Sequence, residues 1–363
     1  MSKPAVKLTA SAPLKIAASP INTKTNRAKK AGAKAKVSKA PVKNRPSTQI
    51  KKTLHPRNAH LHGYDFPALI NALPKLKTFV RPTAYGALSI DFADPQAVKM
   101  LNTALLKHHY GIEFWDIPAG ALCPPIPGRV DYLHYVADLL AEGDKSCAMD
   151  NVRVLDIGTG ANGIYPILGS QVYGWQFVAT DINVDSLSNV QRIIELNPPL
   201  QGCLHLRLQS NEKAVFKGII QTEERFELTL CNPPFHASMA EANEGTKRKV
   251  NNLQLNRRSA VKTEPRLNFG GQAAELWCQG GERQFLATMI SESQSFAEQC
   301  LWFTSLVSKK ENLKPCYQAL AQLKVDTVKT IEMQQGNKIT RVLAWSFQSV
   351  DKRKIWRSER LSH

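Results

Sequence analysis

The residues best suited to chemistry are Asn232, Pro233, Pro234 and Phe235, four in a row after a short apolar segment. The amino group of adenine is a poor nucleophile because its lone pair is delocalised into the ring. It needs acceptors for both N–H groups as nitrogen becomes tetrahedral, and the Asn232 side-chain oxygen and Pro233 carbonyl can supply them. The prolines fix the turn, and Phe235 offers a face for base stacking. The four residues therefore predict a catalytic loop for an amino group, although a plain proline-rich loop would contain the same residue types.

A glycine-rich turn is the second candidate site. Gly158, Gly160 and Gly163 satisfy the pattern G-x-G-x-x-G after an apolar run, and Asp181 ends the next apolar run. The pattern alone also fits a dinucleotide-dependent oxidoreductase or an ordinary tight turn. Asp156 favours a different ligand, because a carboxylate would repel a pyrophosphate but complement the cationic groups of S-adenosylmethionine. We therefore expect an S-adenosylmethionine site in which Asp181 holds the ribose hydroxyls.

The elements that must position these residues alternate between strand and helix from residue 152 onwards. Seven strands are predicted, over 152–157, 175–180, 204–208, 226–231, 301–306, 324–333 and 341–347. Helices are predicted over 185–196, 211–217, 282–298 and 311–322. This alternation indicates an α/β fold with a seven-stranded, mostly parallel sheet and helices on both faces. Ligands bind such sheets at the carboxyl ends of the strands, where both candidate sites lie.

The chain before residue 152 divides into two parts of different composition. Residues 1–57 contain fifteen Lys and Arg and no acidic residue, whereas the whole chain has 48 basic and 30 acidic residues and a net charge of +18. We expect a disordered basic tail over 1–53, because its composition cannot bury enough apolar surface to offset the entropy of ordering. Apolar periodicity after Asp94-Pro95 and over 130–141 then predicts two helices of a small α-rich module.

Cysteine and histidine usage argues against a metal site. The seven cysteines form no Cys-x-x-Cys pair and indicate free thiols in a reducing compartment. His55, His60 and His62 lack cysteine neighbours, so we expect them on the polar surface or in contact with RNA. The sequence has no apolar run of about 18 residues, the length that a membrane-spanning helix requires. We therefore expect a soluble, cytoplasmic monomer with no metal and no membrane partner.

Long strings of the folded region resemble the large-subunit ribosomal RNA adenine methyltransferase F family, which is related to a human methyltransferase-like RNA adenine enzyme. The strings that carry the resemblance lie at 55–58, 87–92, 94–95, 126–132, 156–169, 174–182, 231–235, 270–282, 302–313 and 341–347. They do not include residues 1–53. The resemblance implies a class I S-adenosylmethionine-dependent enzyme that methylates the amino group of one adenosine in large-subunit (23S) ribosomal RNA or an assembly intermediate.

The resemblance also implies roles for individual residues. Arg129 would approach the methionine carboxylate of the cofactor, although it could instead pair with Asp131. The remaining cofactor residues would be Asp156, Gly158 and Gly160 in the turn, Asp181 and Ile182 at the ribose and adenine edge, and Gln209 beside the adenine. Asn232, Pro233, Pro234 and Phe235 would form the catalytic loop.

A basic segment follows the catalytic loop. Residues 246–266 contain seven basic residues and one acidic residue, a local charge of +6. A long irregular segment so close to a catalytic loop favours a substrate-binding role over that of a solvated loop. The residues that we assign to RNA binding are Lys247, Arg248, Lys249, Arg257 and Arg258.

The sequence thus predicts four regions. They are a basic tail over 1–53, an RNA-binding and cofactor-lid module over 54–145, a Rossmann-like methyltransferase domain over 146–350 with a substrate loop at 236–281, and a basic C-terminal extension over 351–363. Three alternatives remain: an oxidoreductase, a nonenzymatic RNA-binding or ribosome-assembly factor, and a methyltransferase that modifies glutamine in a protein. The oxidoreductase does not explain the catalytic loop, an intact cofactor motif argues against the assembly factor, and the basic segments argue against a protein substrate.

Overall fold

The computed structural model describes residues 54–144, 149–234, 236, 278–335 and 338–361. The predicted tail over 1–53 and the basic residues of the substrate loop lie outside this part of the chain. The first elements form an α-rich layer with one small hairpin. They are α1 (Phe66–Ala72), β1 (Val80–Pro82), β2 (Leu88–Ile90), α2 (Pro95–Tyr110) and α3 (Ile126–Ala141).

The rest of the described chain is built around one large sheet. Its strands are β3 (Arg153–Ile157), β4 (Gln176–Asp181), β5 (Leu204–Leu208), β6 (Phe226–Cys231), β7 (Cys300–Val307), β8 (Thr327–Gln335) and β9 (Lys338–Ser346). The helices are α4 (Ile164–Tyr173), α5 (Val184–Glu195), α6 (Gly281–Ser293), α7 (Leu313–Gln322) and α8 (Val350–Leu361). The strand order is β5-β4-β3-β6-β7-β9-β8, parallel except at β9, which runs antiparallel to both neighbours. The seven-stranded, mostly parallel sheet is therefore confirmed.

Helices cover both faces of the sheet because its buried strands are apolar on both sides. In β3, Val154 belongs to the apolar core that includes α2, α3, α4 and α5, whereas Leu155 belongs to the core on the opposite face, with α6 and α7. Trp302 and Phe303 of β7 divide between the two faces in the same way. This two-residue alternation is the expected geometry of a strand. Because α2 and α3 share a continuous core with the sheet, they form part of one of its covering layers.

Capping residues explain where α2 and α5 begin. The Asp94 side chain accepts a hydrogen bond from the Gln96 backbone N–H at 2.9 Å, Pro95 occupies the first turn, and Gly111 ends α2 at a φ of 66°. The Asn183 side chain caps α5 by accepting from Ser186 N–H at 3.0 Å. The predicted helices after Asp94-Pro95 and over 185–196 therefore form close to their predicted limits.

Two sequence expectations are wrong in detail. Residues 211–217 form turns and not a helix, because the Glu292 carboxylate takes three backbone N–H groups there. His55 and His60 are 6% and 3% exposed and not on the surface: His55 Nε2 pairs with Asp138 at 3.0 Å, and His60 Nε2 bonds the Tyr110 hydroxyl at 2.8 Å. Hydrogen-bond partners on α2 and α3 make their burial possible.

The C-terminal residues join the fold more closely than their basic composition suggests. Within the predicted extension, Arg353 is 3% exposed and its Nε donates to the Glu142 carboxylate at 2.7 Å. Trp356 donates to Glu227 Oε1 at 3.1 Å. No helix within the described ranges is long and apolar enough to cross a membrane. The same ranges contain no group of three or more His, Cys, Asp or Glu side chains arranged to hold a metal ion.

Candidate active site

A pocket opens where the carboxyl ends of β3, β4 and β6 meet. The chain order reverses at β3, since β4 and β5 lie on one side of it and β6 on the other. This is the position at which open α/β sheets bind ligands. The pocket walls come from the glycine turn after β3, the residues that follow β4, and Asn232, Pro233 and Pro234 after β6. The structure thus brings the two candidate sites of the sequence together in one pocket.

The glycine turn lies in the pocket wall with its backbone close to the next strand. Gly158 and Thr159 donate their N–H groups to the Thr180 carbonyl at 3.0 and 2.9 Å, and Gly160 donates to Asp181 Oδ2 at 2.8 Å. Gly158 and Gly160 have φ values of 74° and 62°. A side chain would strain the backbone at these values, which explains why glycine stands at both positions. The turn therefore presents bare backbone to a ligand.

Asp156 is a buried carboxyl at the base of this turn. It is 1% exposed, and neither carboxylate oxygen has a hydrogen-bond partner within the described residues. Burial, opposed by the Thr159 side chain and the charge of Arg129 and reinforced by the charge of Asp181, raises the pKa of Asp156 to about 7. An unsatisfied buried carboxyl favours a cationic or hydrogen-bond-donating ligand, because such a ligand would supply the missing partner.

Arg129 reaches the pocket from the first turn of α3. Its Nη1 donates to the Tyr165 hydroxyl at 2.7 Å, while its Nε is buried without a partner in the described part of the chain. The alternative pairing with Asp131 does not form: Asp131 Oδ1 accepts instead from the His55 backbone N–H at 2.8 Å and from Asn58 Nδ2 at 2.7 Å. The Arg129 guanidinium is thus left in the pocket wall, where it can complement an anionic ligand group.

Three further residues assigned to the cofactor follow β4 and β5. Asp181 Oδ1 accepts from the Asn183 backbone N–H at 2.9 Å, and burial raises the pKa of the Asp181 carboxyl. Ile182 lines the pocket and is 40% exposed, so it offers an apolar edge. Gln209 also lines the pocket, but its side-chain amide holds its own loop, donating to the Lys217 carbonyl at 3.0 Å and accepting from Asn211 N–H at 2.9 Å.

The proposed catalytic residues lie beside these groups. Cys231 ends β6 directly opposite Ile157 of β3, so the next three residues enter the pocket next to the glycine turn. Pro233 is buried, and Asn232 and Pro234 are half-buried in the wall. Phe235 lies outside the described residues, as do Lys247, Arg248, Lys249, Arg257 and Arg258.

The two described ends of the substrate loop meet at the pocket. The Cys278 backbone N–H donates to the His236 carbonyl at 3.2 Å, and Cys278 is itself in the pocket wall. The chain therefore leaves the site after Pro234 and returns to the same place before α6. The loop is anchored at both ends beside the candidate catalytic residues.

Other pocket residues were not found from the sequence. Tyr165, Leu122 and Pro124 line the pocket, and Tyr165 also contacts Arg129. They come from α4 and from the passage before α3, and only the packing of α3 against α4 brings them to the site. The one sequence signal that could have identified Tyr165 was its position within 156–169, one of the strings that resemble the methyltransferase F family.

The described residues fit S-adenosylmethionine, whose functional groups differ in charge and polarity along its length. The unsatisfied Asp156 carboxyl suits its cationic end, the Arg129 guanidinium suits its carboxylate, and the Asp181 carboxyl suits a ribose hydroxyl. A pyrophosphate would instead meet Asp156 and Asp181 at close range. The charge pattern therefore favours a sulfonium cofactor over a dinucleotide.

Comparisons with known proteins agree with this interpretation. A family model described as an RNA methyltransferase matches residues 48–349. The ribosomal RNA large subunit methyltransferase F of Shewanella baltica (strain OS223) is 79% identical over 364 residues, covering 100% of both chains. The protein of the same name from Shewanella oneidensis is 69% identical, covering 99% of this chain and 98% of its own length.

Solved structures show the same fold. The catalytic domain of human METTL16 in complex with an RNA hairpin from the MAT2A 3′UTR has a TM-score of 0.69 and 30% identity, covering 82% of this chain and 97% of its own. The N-terminal domain of human METTL16 in complex with SAH has a TM-score of 0.65 and 27% identity, covering 82% of this chain and 100% of its own. The family match extends over most of the chain and includes every pocket residue discussed above. This protein therefore belongs to that family of RNA methyltransferases.

Proposed function

We propose that this protein transfers a methyl group from S-adenosylmethionine to the exocyclic amino group of one adenosine in large-subunit (23S) ribosomal RNA. S-adenosylmethionine is the cofactor of the family, and the enzyme is an RNA methyltransferase. The observation that carries the finer assignment is the position of Asn232-Pro233-Pro234, at the end of β6 in the same pocket as Asp156, Arg129 and Asp181. We assign the activity to a monomer in the cytoplasm.

Each residue assigned to the cofactor would contact a different group of S-adenosylmethionine. Arg129 would bind the methionine carboxylate, and Asp156 would complement the cationic end. The backbone of the turn at Gly158 and Gly160 would lie against the cofactor. Asp181 would hold the ribose hydroxyls. Ile182 and Gln209 would border the adenine, Ile182 by apolar contact and Gln209 mainly by holding the wall in shape.

The catalytic loop would act by orienting the target amino group. The bound cofactor supplies an electrophilic methyl group. The Asn232 side-chain oxygen and the Pro233 carbonyl would accept the two N–H groups of adenine, so that the nitrogen lone pair faces the methyl group. Pro233 and Pro234 limit the movement of these acceptors, and Phe235 would stack on the base. After transfer the nitrogen loses a proton readily to water, so the site needs no strong base.

The RNA would be held by the charged parts of the chain. The substrate loop starts and ends at the pocket, and its basic residues are Lys247, Arg248, Lys249, Arg257 and Arg258. A charge of +6 over 246–266 suits a phosphate backbone. The module over 54–145 contributes Arg129 to the pocket and would serve both as part of the RNA surface and as a lid on the cofactor.

The test is a methylation assay on unmodified large-subunit ribosomal RNA with labelled S-adenosylmethionine, read by nuclease digestion and mass spectrometry. We expect one N6-methyladenosine. Asn232→Ala should lose at least about 100-fold in turnover, as expected when a transition-state acceptor is removed, yet bind S-adenosylmethionine normally by calorimetry. Gln322→Ala, at an exposed position of α7 outside the pocket, is the matched control and should keep full turnover. Wild-type turnover in Asn232→Ala, or transfer to protein instead of RNA, would refute the proposal.

A further inference from the structure

The pairing of β6 with β7 ends before either strand does. The paired residues are Phe226 with Cys300 and Leu228 with Trp302, yet β6 continues to Cys231 and β7 to Val307. On its other side β6 stays paired with β3 as far as Cys231. The last part of β6, which leads directly into Asn232, is therefore held by backbone pairing on one side only.

Side-chain hydroxyls replace the missing pairing on the other side. The Thr304 backbone N–H donates to Thr229 Oγ1 at 3.1 Å, and the Thr304 hydroxyl donates to the Thr229 carbonyl at 2.6 Å. The Tyr132 hydroxyl lies 2.6 Å from Thr304 Oγ1. Since Thr304 has given its one hydroxyl proton to Thr229, Tyr132 must be the donor of this bond.

Thr304 and Thr229 link this tyrosine to the end of β6. The Tyr132 hydroxyl bonds Thr304 of β7, and Thr304 bonds Thr229, which lies two residues before Cys231, the last residue of β6. Tyr132, Thr229 and Thr304 are each 0% exposed. In the dry interior such bonds are directional, and a misplaced hydroxyl would lose its partner at substantial cost. The three side chains therefore fix the distance between the end of β6 and its neighbours.

Tyr132 links this network to the cofactor side of the pocket. It lies three residues after Arg129 on α3, close to one helical turn away, and its ring packs edge-on against Tyr165 with centroids 5.5 Å apart. Tyr165 in turn accepts the hydrogen bond from Arg129. The same turn of α3 thus carries the residue that we assign to the cofactor carboxylate and is linked, through Thr304, to the strand that leads into the catalytic loop.

We propose that Tyr132, Thr304 and Thr229 are positioning residues that set the catalytic loop relative to the bound cofactor. The inference rests on the proposed function, because it assigns a task to residues around the same site. None of the three side chains lines the pocket. They act through the last residues of β6, from Thr229 to Cys231, by holding the Asn232 side chain and the Pro233 carbonyl where the amino group must lie.

The proposal predicts a loss in turnover without a loss in binding. A misplacement of about 1 Å in a reacting group can cost roughly 100-fold in rate. We expect Tyr132→Phe and Thr304→Val to lower kcat about 10- to 100-fold at saturating RNA and cofactor. The Kd for S-adenosylmethionine and the KM for RNA should stay within about 3-fold, because the direct ligand contacts remain. Thr304→Ser keeps the hydroxyl and should retain most of the turnover.

The experiment compares these variants with Ser346→Ala, which removes a buried hydroxyl from β9. Ser346 is 0% exposed, and its hydroxyl donates to the Leu301 carbonyl at 2.6 Å, near the start of β7 and outside the pocket lining. Its loss therefore controls for the general effect of a deleted buried hydrogen bond. All chains are assayed for kcat, KM, cofactor Kd and Tm. We expect Ser346→Ala to lower Tm but keep wild-type kcat.

The possible results distinguish the positioning role from the proposed function. Lower kcat in Thr304→Val, recovery in Thr304→Ser and unchanged kcat in Ser346→Ala would support the positioning role. If Tyr132→Phe does not fold, the two Thr304 variants decide the matter alone. Wild-type kcat in Thr304→Val, or equal losses in Thr304→Ser and Thr304→Val, would overturn the positioning role and leave the proposed function intact. An absence of RNA methylation by the wild-type protein would instead overturn the proposed function.

Discussion

Asp156 shows how much of the site depends on single buried groups. Its carboxyl lies at the base of the glycine turn with no hydrogen-bond partner among the described residues, and burial raises its pKa to about 7. The charged or ionisable groups that interact with it are Asp181, Arg129, Tyr165 and Cys231. A protein without a ligand to bind here would gain stability from an uncharged residue, so Asp156 has a cost that only binding can offset.

The loss of folding stability caused by Asp156 depends on pH. The pKa of about 7 lies above the value of about 3.9 for Asp in an unfolded chain, so between these values the native state holds a proton that the unfolded state has lost. The free energy of unfolding therefore falls as pH rises through this window, by a few kcal/mol in all, and stays low above it. Asp156→Asn cannot ionise and should gain stability relative to the wild type between pH 5 and pH 8.

The check is the Tm of both proteins without cofactor at pH 5 and pH 8. Asp150→Asn, an exposed position, is the control for the same chemical change. Asp156→Asn should also bind S-adenosylmethionine more weakly at pH 8. A Tm difference between Asp156→Asn and wild type that is equal at both pH values would contradict the assignment.

At the residue scale the sequence predicted the groups that follow strands but missed those that packing brings in. Asp156, Asp181 and Asn232 each lie in or directly after a strand, so an approximate strand assignment was enough to place them in one pocket. Tyr132 lies within the predicted helix over 130–141 but was not singled out, and no helix was predicted around Tyr165. Their contacts depend on how α3 packs against α4 and β7, and a one-dimensional pattern contains no information on that packing.

At the scale of elements, the segment after β5 shows a tertiary contact overriding local preference. Glu292 of α6 is 8% exposed, and its Oε2 accepts backbone N–H groups from Val215, Phe216 and Lys217 at 3.1, 2.8 and 3.1 Å. Those N–H groups are therefore not available for a helix. Val215 lines the cofactor pocket and packs in the same core as α6, so one carboxylate of that helix fixes the shape of the pocket wall.

Glu292→Gln tests this role. An amide oxygen carries no full charge, so we expect a loss of about 1.5–3 kcal/mol in the free energy of unfolding, the range for hydrogen bonds to a charged group. The Kd for S-adenosylmethionine should rise several-fold because the wall loosens. Denaturant unfolding and calorimetry measure the two effects. Glu298→Gln, at an exposed pair with Lys352, should change neither; a Glu292→Gln protein with wild-type stability and Kd would show that the contact is dispensable.

The C-terminal helix α8 shows that amino-acid composition does not predict which basic side chains contact the rest of the fold. The sequence of 351–363 looked like a basic extension, but two of its arginines bind inward. Arg353 and Arg357 both contact the Glu142 carboxylate at the end of α3, and Arg225 stacks over Trp356 with 4.3 Å between the guanidinium carbon and the ring centre. Charge counts could not distinguish the buried Arg353 and the partly buried Arg357 from solvated arginines, because their burial depends on the acidic partner Glu142.

At the scale of the whole molecule, the net charge divides unevenly. Residues 1–57 carry +15 and residues 246–266 carry +6, which together exceed the +18 of the chain, so the remainder is acidic overall. The basic character therefore belongs to two segments and not to the body of the enzyme. The segment 246–266 belongs to the substrate loop, whose described ends meet at the pocket.

Replacing the basic residues of 246–266 by Gln should weaken RNA binding and flatten its dependence on salt. Each lost phosphate contact should reduce the slope of log K against log salt concentration by about 0.7–0.9. Binding of S-adenosylmethionine should not change. The measurement is a titration of large-subunit RNA at several salt concentrations, with equal substitutions in residues 1–53 as the comparison. An unchanged slope in the loop variant would exclude the loop from the RNA interface.

The overall architecture was the part most fully predicted. Apolar runs separated by glycine turns indicated the seven-stranded, mostly parallel sheet, with both motifs at the carboxyl ends of strands. The order of the strands, with its reversal at β3, came only from the structure. The β1–β2 hairpin escaped prediction because its strands are three residues long and mostly exposed. Short exposed strands carry almost no hydrophobic periodicity, so nothing in the sequence pattern marks them.

The most direct test of the central claim is mass mapping of large-subunit ribosomal RNA from cells that lack this protein. We predict that one N6-methyladenosine disappears and every other modification stays. A gene for the wild-type chain should restore it, whereas one for Asn232→Ala, produced at the same level, should not. Unchanged ribosomal RNA in the deletion strain, or full restoration by Asn232→Ala, would contradict the assignment of this pocket to the methylation of an adenosine amino group.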